Sequence, residues 1–183
     1  LATLHYATEE RKGFVLITGE VGAGKTLTGR MFLRQIEQQA ETAVITNTHL
    51  SGRQLLAAIC SEFGLNPPPQ AGNLELSQLL QEFLLEQFAR NRCVVVLIDE
   101  AQNLPDEAVE EIRMLGNLEA DDAKLLQVCI LGQPELRERF EQAGMRQLDQ
   151  RLFRRFHLSA LTRAQTVDYV YHRLRTAGWN GKN

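Results

Sequence analysis

An α/β fold, with a mostly parallel five-stranded sheet between layers of helices, is what this sequence predicts, on three observations. Short, continuously apolar runs alternate with amphipathic runs along the 183 residues. A glycine-rich turn, "GEVGAGKT" (residues 19–26), joins the first apolar run to the first amphipathic one. The most hydrophobic run, "CVVVLIDE" (residues 93–100), ends abruptly in two acids, Asp99 and Glu100. The length suits one ordinary domain, or one domain and a fragment of a second.

The elements follow in order. "GFVLITG" (13–19) is a first strand, covered on both faces because Phe14 to Ile17 are all apolar. A helix over 24–39 pairs Leu27 with Met31 and Phe32 with Ile36 at a spacing of four, leaving Arg30, Arg34 and Glu37 for solvent. "TAVITNT" (42–48) is a second buried strand. Ser51 caps a helix that Gly64 ends. Three prolines in "NPPPQAGN" (66–73) make a surface connection, since proline continues neither a helix nor a central strand. A helix starts at Ser77, with Leu79, Phe83 and Leu84 facing the core. The strand 93–100 follows, then a helix from Asp106 to about Leu118 that carries two acids at its positive end. "LLQVCILGQ" (125–133) is a fourth strand, and Pro134 suits the first turn of the next helix. "FHLSAL" (156–161) is a short fifth strand, and Thr162 caps a last amphipathic helix to Gly178. This divides the chain into a core (1–161) and a helical start of a second unit (162–183).

Composition sets limits. The chain is 44% hydrophobic and 23% charged, with a net charge of −3, which argues against a uniformly basic surface. Charge is uneven: residues 75–122 are rich in acids, and nine arginines lie in 135–175. Cys60, Cys93 and Cys129 have no metal-ligand spacing and are expected to be reduced thiols of a cytosolic protein. No stretch approaches the ~20 apolar residues of a membrane span. The chain starts in mid-segment and stops just after a helical pattern, so a longer protein is expected.

The glycine-rich turn matches G-x-x-x-x-G-K-[ST] through Gly19, Gly24, Lys25 and Thr26, and it has a strand before it and a helix after it. Glycines at 19, 22 and 24 let the backbone turn tightly and approach an anion. The amides of Glu20, Val21, Gly22, Ala23, Gly24, Lys25, Thr26 and Leu27 then form a phosphate cradle at a helix N-terminus. Lys25 adds a full charge for the β- and γ-phosphates, and the Thr26 hydroxyl is a ligand for Mg²⁺. Two carboxylates at the end of a buried strand are costly without a counter-ion. Asp99 is placed to hold Mg²⁺, and Glu100 to orient a water and take its proton.

"GFVLITGEVGAGKT", "VVVLIDEAQNL", "LLQVCILGQPELRE" and residues 150–178 together resemble the AAA+ ATPases of the general secretion pathway protein A (ExeA-type) family. Related ATPases that regulate DNA transposition have a similar core. The resemblance implies a P-loop NTPase (AAA+) core with the start of a helical lid, and ATP with Mg²⁺ as its ligands. It implies that Gln133 reads the γ-phosphate, that Asn47 bonds to Glu100 and restrains it, and that Arg151 is a finger acting in trans in a homo-oligomer. Arg154 and Arg155 are rivals for that last role. AAA+ lids contain more helices than the one seen here, so weak hydrolysis by this chain alone is expected. Adenine preference rests on the resemblance, because no aromatic-rich base pocket stands out.

The implied function is ATP-driven assembly or remodelling in secretion and cell-envelope assembly. The resemblance implies a cytoplasmic domain of a longer inner-membrane protein, with a membrane or secretion-pathway partner outside this stretch. One alternative is a DNA-linked ATPase regulating transposition, for which the arginine-rich last third is the only local support. A second is a P-loop small-molecule kinase, against which the water-directing Glu100 argues.

Overall fold

The structure is a computed structural model that describes residues 1–120, 123–142 and 145–181. In chain order its elements are α1 (Ala2–Glu9), β1 (Phe14–Gly19), α2 (Lys25–Ile36), β2 (Ala40–Ile45), α3 (Gly52–Glu62), α4 (Asn73–Ala89) and β3 (Cys93–Ile98). A 3-10 turn (Ala101–Asn103) leads to α5 (Asp106–Leu115), β4 (Glu119–Ala120), β5 (Ala123–Lys124), β6 (Gln127–Gly132), α6 (Pro134–Glu141), α7 (Arg146–Asp149), β7 (Leu152–Leu158) and α8 (Arg163–Thr176).

The five long strands form one sheet in the order β2-β3-β6-β1-β7, and every pairing is parallel. Alternate residues of the inner strands enter two different cores. Phe14, Leu16, Val96, Ile98, Val128 and Ile130 face the layer made by α3, α4 and α5. Val15, Ile17, Val95, Leu97, Cys129 and Leu131 face α1 and α2. This two-sided burial is why these strands read as continuous apolar runs. β4 and β5 form a separate antiparallel pair.

The predicted caps are present: Ser51 Oγ accepts from the Gln54 amide at 3.3 Å, and Thr162 Oγ1 from the Gln165 amide at 3.3 Å. Pro134 opens α6. The proline segment has no regular element, and Arg53 ties it down by donating to the carbonyls of Ala71 (2.8 Å) and Pro69 (2.7 Å).

Several expectations shift. β2 spans Ala40–Ile45 rather than 42–48, because its register with β3 runs from Ala40↔Cys93 to Ile45↔Ile98. α4 begins at Asn73, a turn before Ser77, where the Glu75 carboxylate accepts from the Gly72 amide at 2.8 Å. β7 covers 152–158 rather than 156–161, pairing Phe14↔Leu152 through Gly19↔Leu158. As an edge strand it tolerates the exposed Arg154 and Arg155. In α2 the buried face is Gly29, Phe32, Leu33 and Ile36, while Leu27 and Met31 are exposed. α1 and the β4–β5 pair are additional elements.

α8 buries none of its residues. Val167, Val170, Tyr171 and Leu174 form an exposed apolar stripe along it, and the Tyr171 ring stacks on Trp179 at 5.9 Å. Of the proposed 162–183 unit, residues 182 and 183 lie outside the described residues. Among the described residues, no helix is long and apolar enough to cross a membrane.

Candidate nucleotide site

Parallel pairing puts the C-terminal ends of all five long strands on one edge of the sheet, the edge where ligands bind in open α/β folds. The glycine-rich turn leaves β1 at this edge, and the two acids leave β3. β6 lies between them.

The three glycines answer to different constraints. Gly22 and Gly24 have φ of 82° and 89°, and an added Cβ would meet nothing within 4 Å at either position. Their requirement is the left-handed backbone itself. Gly19 has no such φ, but a Cβ there would lie 2.5 Å from the Leu158 carbonyl oxygen. Gly19 is therefore needed so that β7 can close against the base of the turn. Gly24 is the residue before α2, so the unpaired amides of that helix's first turn open onto the loop.

Lys25 is buried, and its ammonium donates to the carbonyls of Gly19 (2.7 Å) and Glu20 (3.1 Å). Two of its three protons are used this way, and the charge is held over the turn. Thr26 Oγ1 donates to Asp99 Oδ2 at 2.6 Å. That single bond joins the two motifs across the width of β6. Asp99 is buried, and its other oxygen accepts from the Glu100 amide at 3.0 Å. A hydroxyl and a carboxylate held together are hard oxygen donors of the kind Mg²⁺ takes, so the donor set fits that ion. Glu20, Val21 and Gly22 are exposed at the tip, and Ala23 is half-buried.

Glu100 adopts a left-handed backbone (φ 51°), uncommon for a residue with a side chain. This turns the chain into the 3-10 segment and brings Gln102 beside it. Gln102 Nε2 donates to Glu100 Oε2 at 2.6 Å, and Gln102 Oε1 accepts from the Gln133 amide at 3.1 Å. Thr48, buried at the exit of β2, donates to the Glu100 carbonyl at 3.1 Å. Sequence reasoning passed over both Gln102 and Thr48. The signal for Gln102 was its place in "DEAQNL", one residue beyond the neighbour of the second acid.

Asn47 does not reach Glu100. It is exposed, and its Oδ1 accepts from the His49 amide at 3.2 Å. The expected restraint of Glu100 by Asn47 is thus absent, and the carboxylate bonds to Gln102 instead. Arg151 precedes β7 at the opposite edge of the sheet. Its neighbour Leu152 pairs with Phe14, five residues before Gly19, which at ~3.3 Å per residue is about 17 Å from the turn. Its guanidinium donates to Asn117 Oδ1 (2.6 Å) and to the Arg113 carbonyl (3.3 Å) at the negative end of α5. Arg155 is paired with Asp149 at 2.6 Å, and Arg154 lies over the Phe153 ring at 5.3 Å.

An apolar cavity of about 130 Å³ adjoins the first turn of α2, lined by Leu4 of α1, Ile17, Thr28, Phe156 and Leu158 among others. No local pattern marked this cavity, because α1 and β7 come together there only in the fold. Under the site, burial and the nearby Asp99 charge push the Cys129 thiol up from 9.0 to about 12.

A turn of this form on β1, with an acid pair on β3 and β6 between them, defines a P-loop nucleotide-binding fold of the AAA class. Residues 8–140 match the AAA domain family, and the chain belongs to it. It is 46% identical over 178 residues, 97% of its length, to general secretion pathway protein A of Aeromonas hydrophila. That match bears out the resemblance read from the sequence. The chain spans 32% of that relative. Among solved structures it is similar to the ADP form of the Aeropyrum pernix ORC2 protein, with a TM-score of 0.72 and 13% identity over 96% of this chain and 49% of that one. It is also similar to Cdc6p from Pyrobaculum aerophilum, with a TM-score of 0.72 and 17% identity over 94% of this chain and 46% of that one. At these identities the likeness concerns the fold.

Proposed function

We propose that the domain binds Mg-ATP at the glycine-rich turn and hydrolyses it to ADP and phosphate, and that turnover drives assembly or remodelling within a homo-oligomer. The observation that carries this reading is the 2.6 Å bond from Thr26 to Asp99, which unites the phosphate turn with the acid pair. Backbone amides of the turn and Lys25 bind the triphosphate. Thr26 and Asp99 hold Mg²⁺, which neutralises charge on the phosphate oxygens when bound. Glu100 takes a proton from the attacking water, whose oxygen bonds to the γ-phosphorus as the bond to the bridging oxygen breaks. Gln133 orients the γ-phosphate from the end of β6. The apolar cavity beside α2 takes the base.

Arg151 is too far along its own sheet to serve its own site, which supports a role in a neighbour's. It would exchange Asn117 for phosphate there. The exposed stripe on α8 supports reading 162–183 as the start of a lid that further helices complete. The relative's name supports work in a secretion pathway, and a place on the cytoplasmic side of a membrane rests on the resemblance read from the sequence.

The test is a pair of variants. Lys25→Ala is expected to abolish Mg-ATP binding. Glu100→Gln is expected to keep binding and lose phosphate release. Full turnover by Glu100→Gln would refute the assigned mechanism.

A further inference from the structure

We propose that Gln102 is a positioning residue for hydrolysis, its carboxamide bridging the Glu100 carboxylate to the Gln133 amide so that the acid is held toward the phosphate turn. The inference rests on the reading that Glu100 directs the attacking water.

Strand order gives the bridge its direction. Glu100 leaves β3, which has β2 on one side and β6 on the other, and of these two neighbours it is β6 that adjoins β1 and its turn. A restraint from the β2 side would draw the carboxylate away from the phosphates. Gln102 draws it to the β6 side, using both ends of one amide: Nε2 to Glu100 Oε2 at 2.6 Å, and Oε1 from the Gln133 amide at 3.1 Å. Only a group that is donor and acceptor at once can link a carboxylate to an N–H.

The surroundings fix the bridge in place. Arg139 of α6 donates to the carbonyls of Leu104 (2.6 Å) and Gln102 (3.4 Å), and it is ion-paired with Asp106. The segment after Glu100 is thereby clamped to the same helix that supplies the Gln133 amide. Gly132 leaves the room required, since a Cβ there would lie 2.4 Å from Leu136 Cδ2 and 3.1 Å from Gln102 Oε1. Glu100 and the start of α6 are thus one unit, and a shift of α6 is passed to the acid through Gln102.

Two substitutions separate the halves of the bridge. Gln102→Ala removes both bonds. Gln102→Glu keeps an acceptor for the Gln133 amide but sets a like charge against Glu100. Both are expected to lower kcat by about 10- to 100-fold, the range that misplacing a reacting group costs, with the affinity for a fluorescent ATP analogue and Mg²⁺ within about twofold of wild type. Exchange of the Gln133 amide, followed by NMR without nucleotide, is expected to quicken at least about tenfold in Gln102→Ala and to stay slow in Gln102→Glu. Wild-type or raised kcat in Gln102→Ala would overturn the proposal, as would equal Gln133 exchange in all three proteins. If wild type itself released no phosphate, the hydrolysis reading would fall, and the amide exchange would still decide whether the bridge exists.

Discussion

Replacing Gly19 with alanine tests whether the first glycine of the turn serves the sheet rather than the phosphate. The added methyl would lie 2.5 Å from the Leu158 carbonyl oxygen and 3.1 Å from Leu158 Cβ. Carbon–oxygen contacts settle near 3.3 Å, so the methyl is about 0.8 Å too close. The obstacle is backbone, so no rotamer change relieves it, and the end of β7 must move away from β1. Such overpacking costs about 1–3 kcal/mol, offset by about 0.4–1 kcal/mol because alanine restricts the unfolded chain. The net loss of about 1–2 kcal/mol corresponds to a Tm lower by about 2–8 °C in a chain of this size. Gly22→Ala differs in kind. It meets nothing within 4 Å and bears only the left-handed penalty of about 1–2 kcal/mol. Amide exchange tells the two apart: Phe156, His157 and Leu158 should lose protection in Gly19→Ala and keep it in Gly22→Ala. An unchanged Tm with full β7 protection in Gly19→Ala would refute the reasoning.

Thr26→Ala removes the hydroxyl bonded to the buried Asp99, so a stability loss of about 1.5–3 kcal/mol is expected in urea unfolding. The Mg²⁺ concentration needed for half-maximal ATP binding should rise with it. Arg151→Ala should lower Tm by a few degrees, because it removes the bonds to the Asn117 side chain and to the Arg113 carbonyl near the end of α5. Mixed with Lys25→Ala subunits, it should regain ATPase activity, since intact sites then meet intact fingers. A mixture as inactive as its components would exclude the role in trans. Burial raises Cys60 from 9.0 to about 11 and Cys129 from 9.0 to about 12. The folded state therefore keeps protons that the unfolded state has lost. Stability should be intact below pH 9 and fall as pH rises toward 11–12, read as a declining urea midpoint.

Much of the fold was legible because β1, β3 and β6 are buried on both faces, so their sequences are almost wholly apolar, with buried polar side chains only near their ends at Thr18 and Gln127. The strand boundaries that moved most belong to the edge strands. β2 and β7 have one neighbour each, and their ends are set by the register with β3 and β1, a long-range fact that local pattern does not carry. α1 escaped notice because its buried apolar residues, Leu4 and Ala7, are too few to set a helical period, and no side chain caps it. Leu27 and Met31 followed the helical period yet lie outside the core, since the inner face of α2 begins at Gly29. There Leu97 and Leu131 leave no room even for a methyl.

The site divides the same way. Lys25, Thr26, Asp99 and Glu100 could be read from local context, because a phosphate turn and a strand-end acid pair are each contiguous in sequence. What surrounds Glu100 depended on strand order. Asn47 and Gln133 leave strands on opposite sides of β3, and alternation of strands and helices does not say which side faces β1. Once β6 is seen to be inserted there, a polar group on the β2 side cannot hold Glu100 toward the glycine-rich turn. The left-handed φ at Glu100 then matters, because it folds the chain back within two residues and brings Gln102 to the β6 side. A backbone conformation that costs about 1–2 kcal/mol is thus what places the partner of the acid proposed to direct the water.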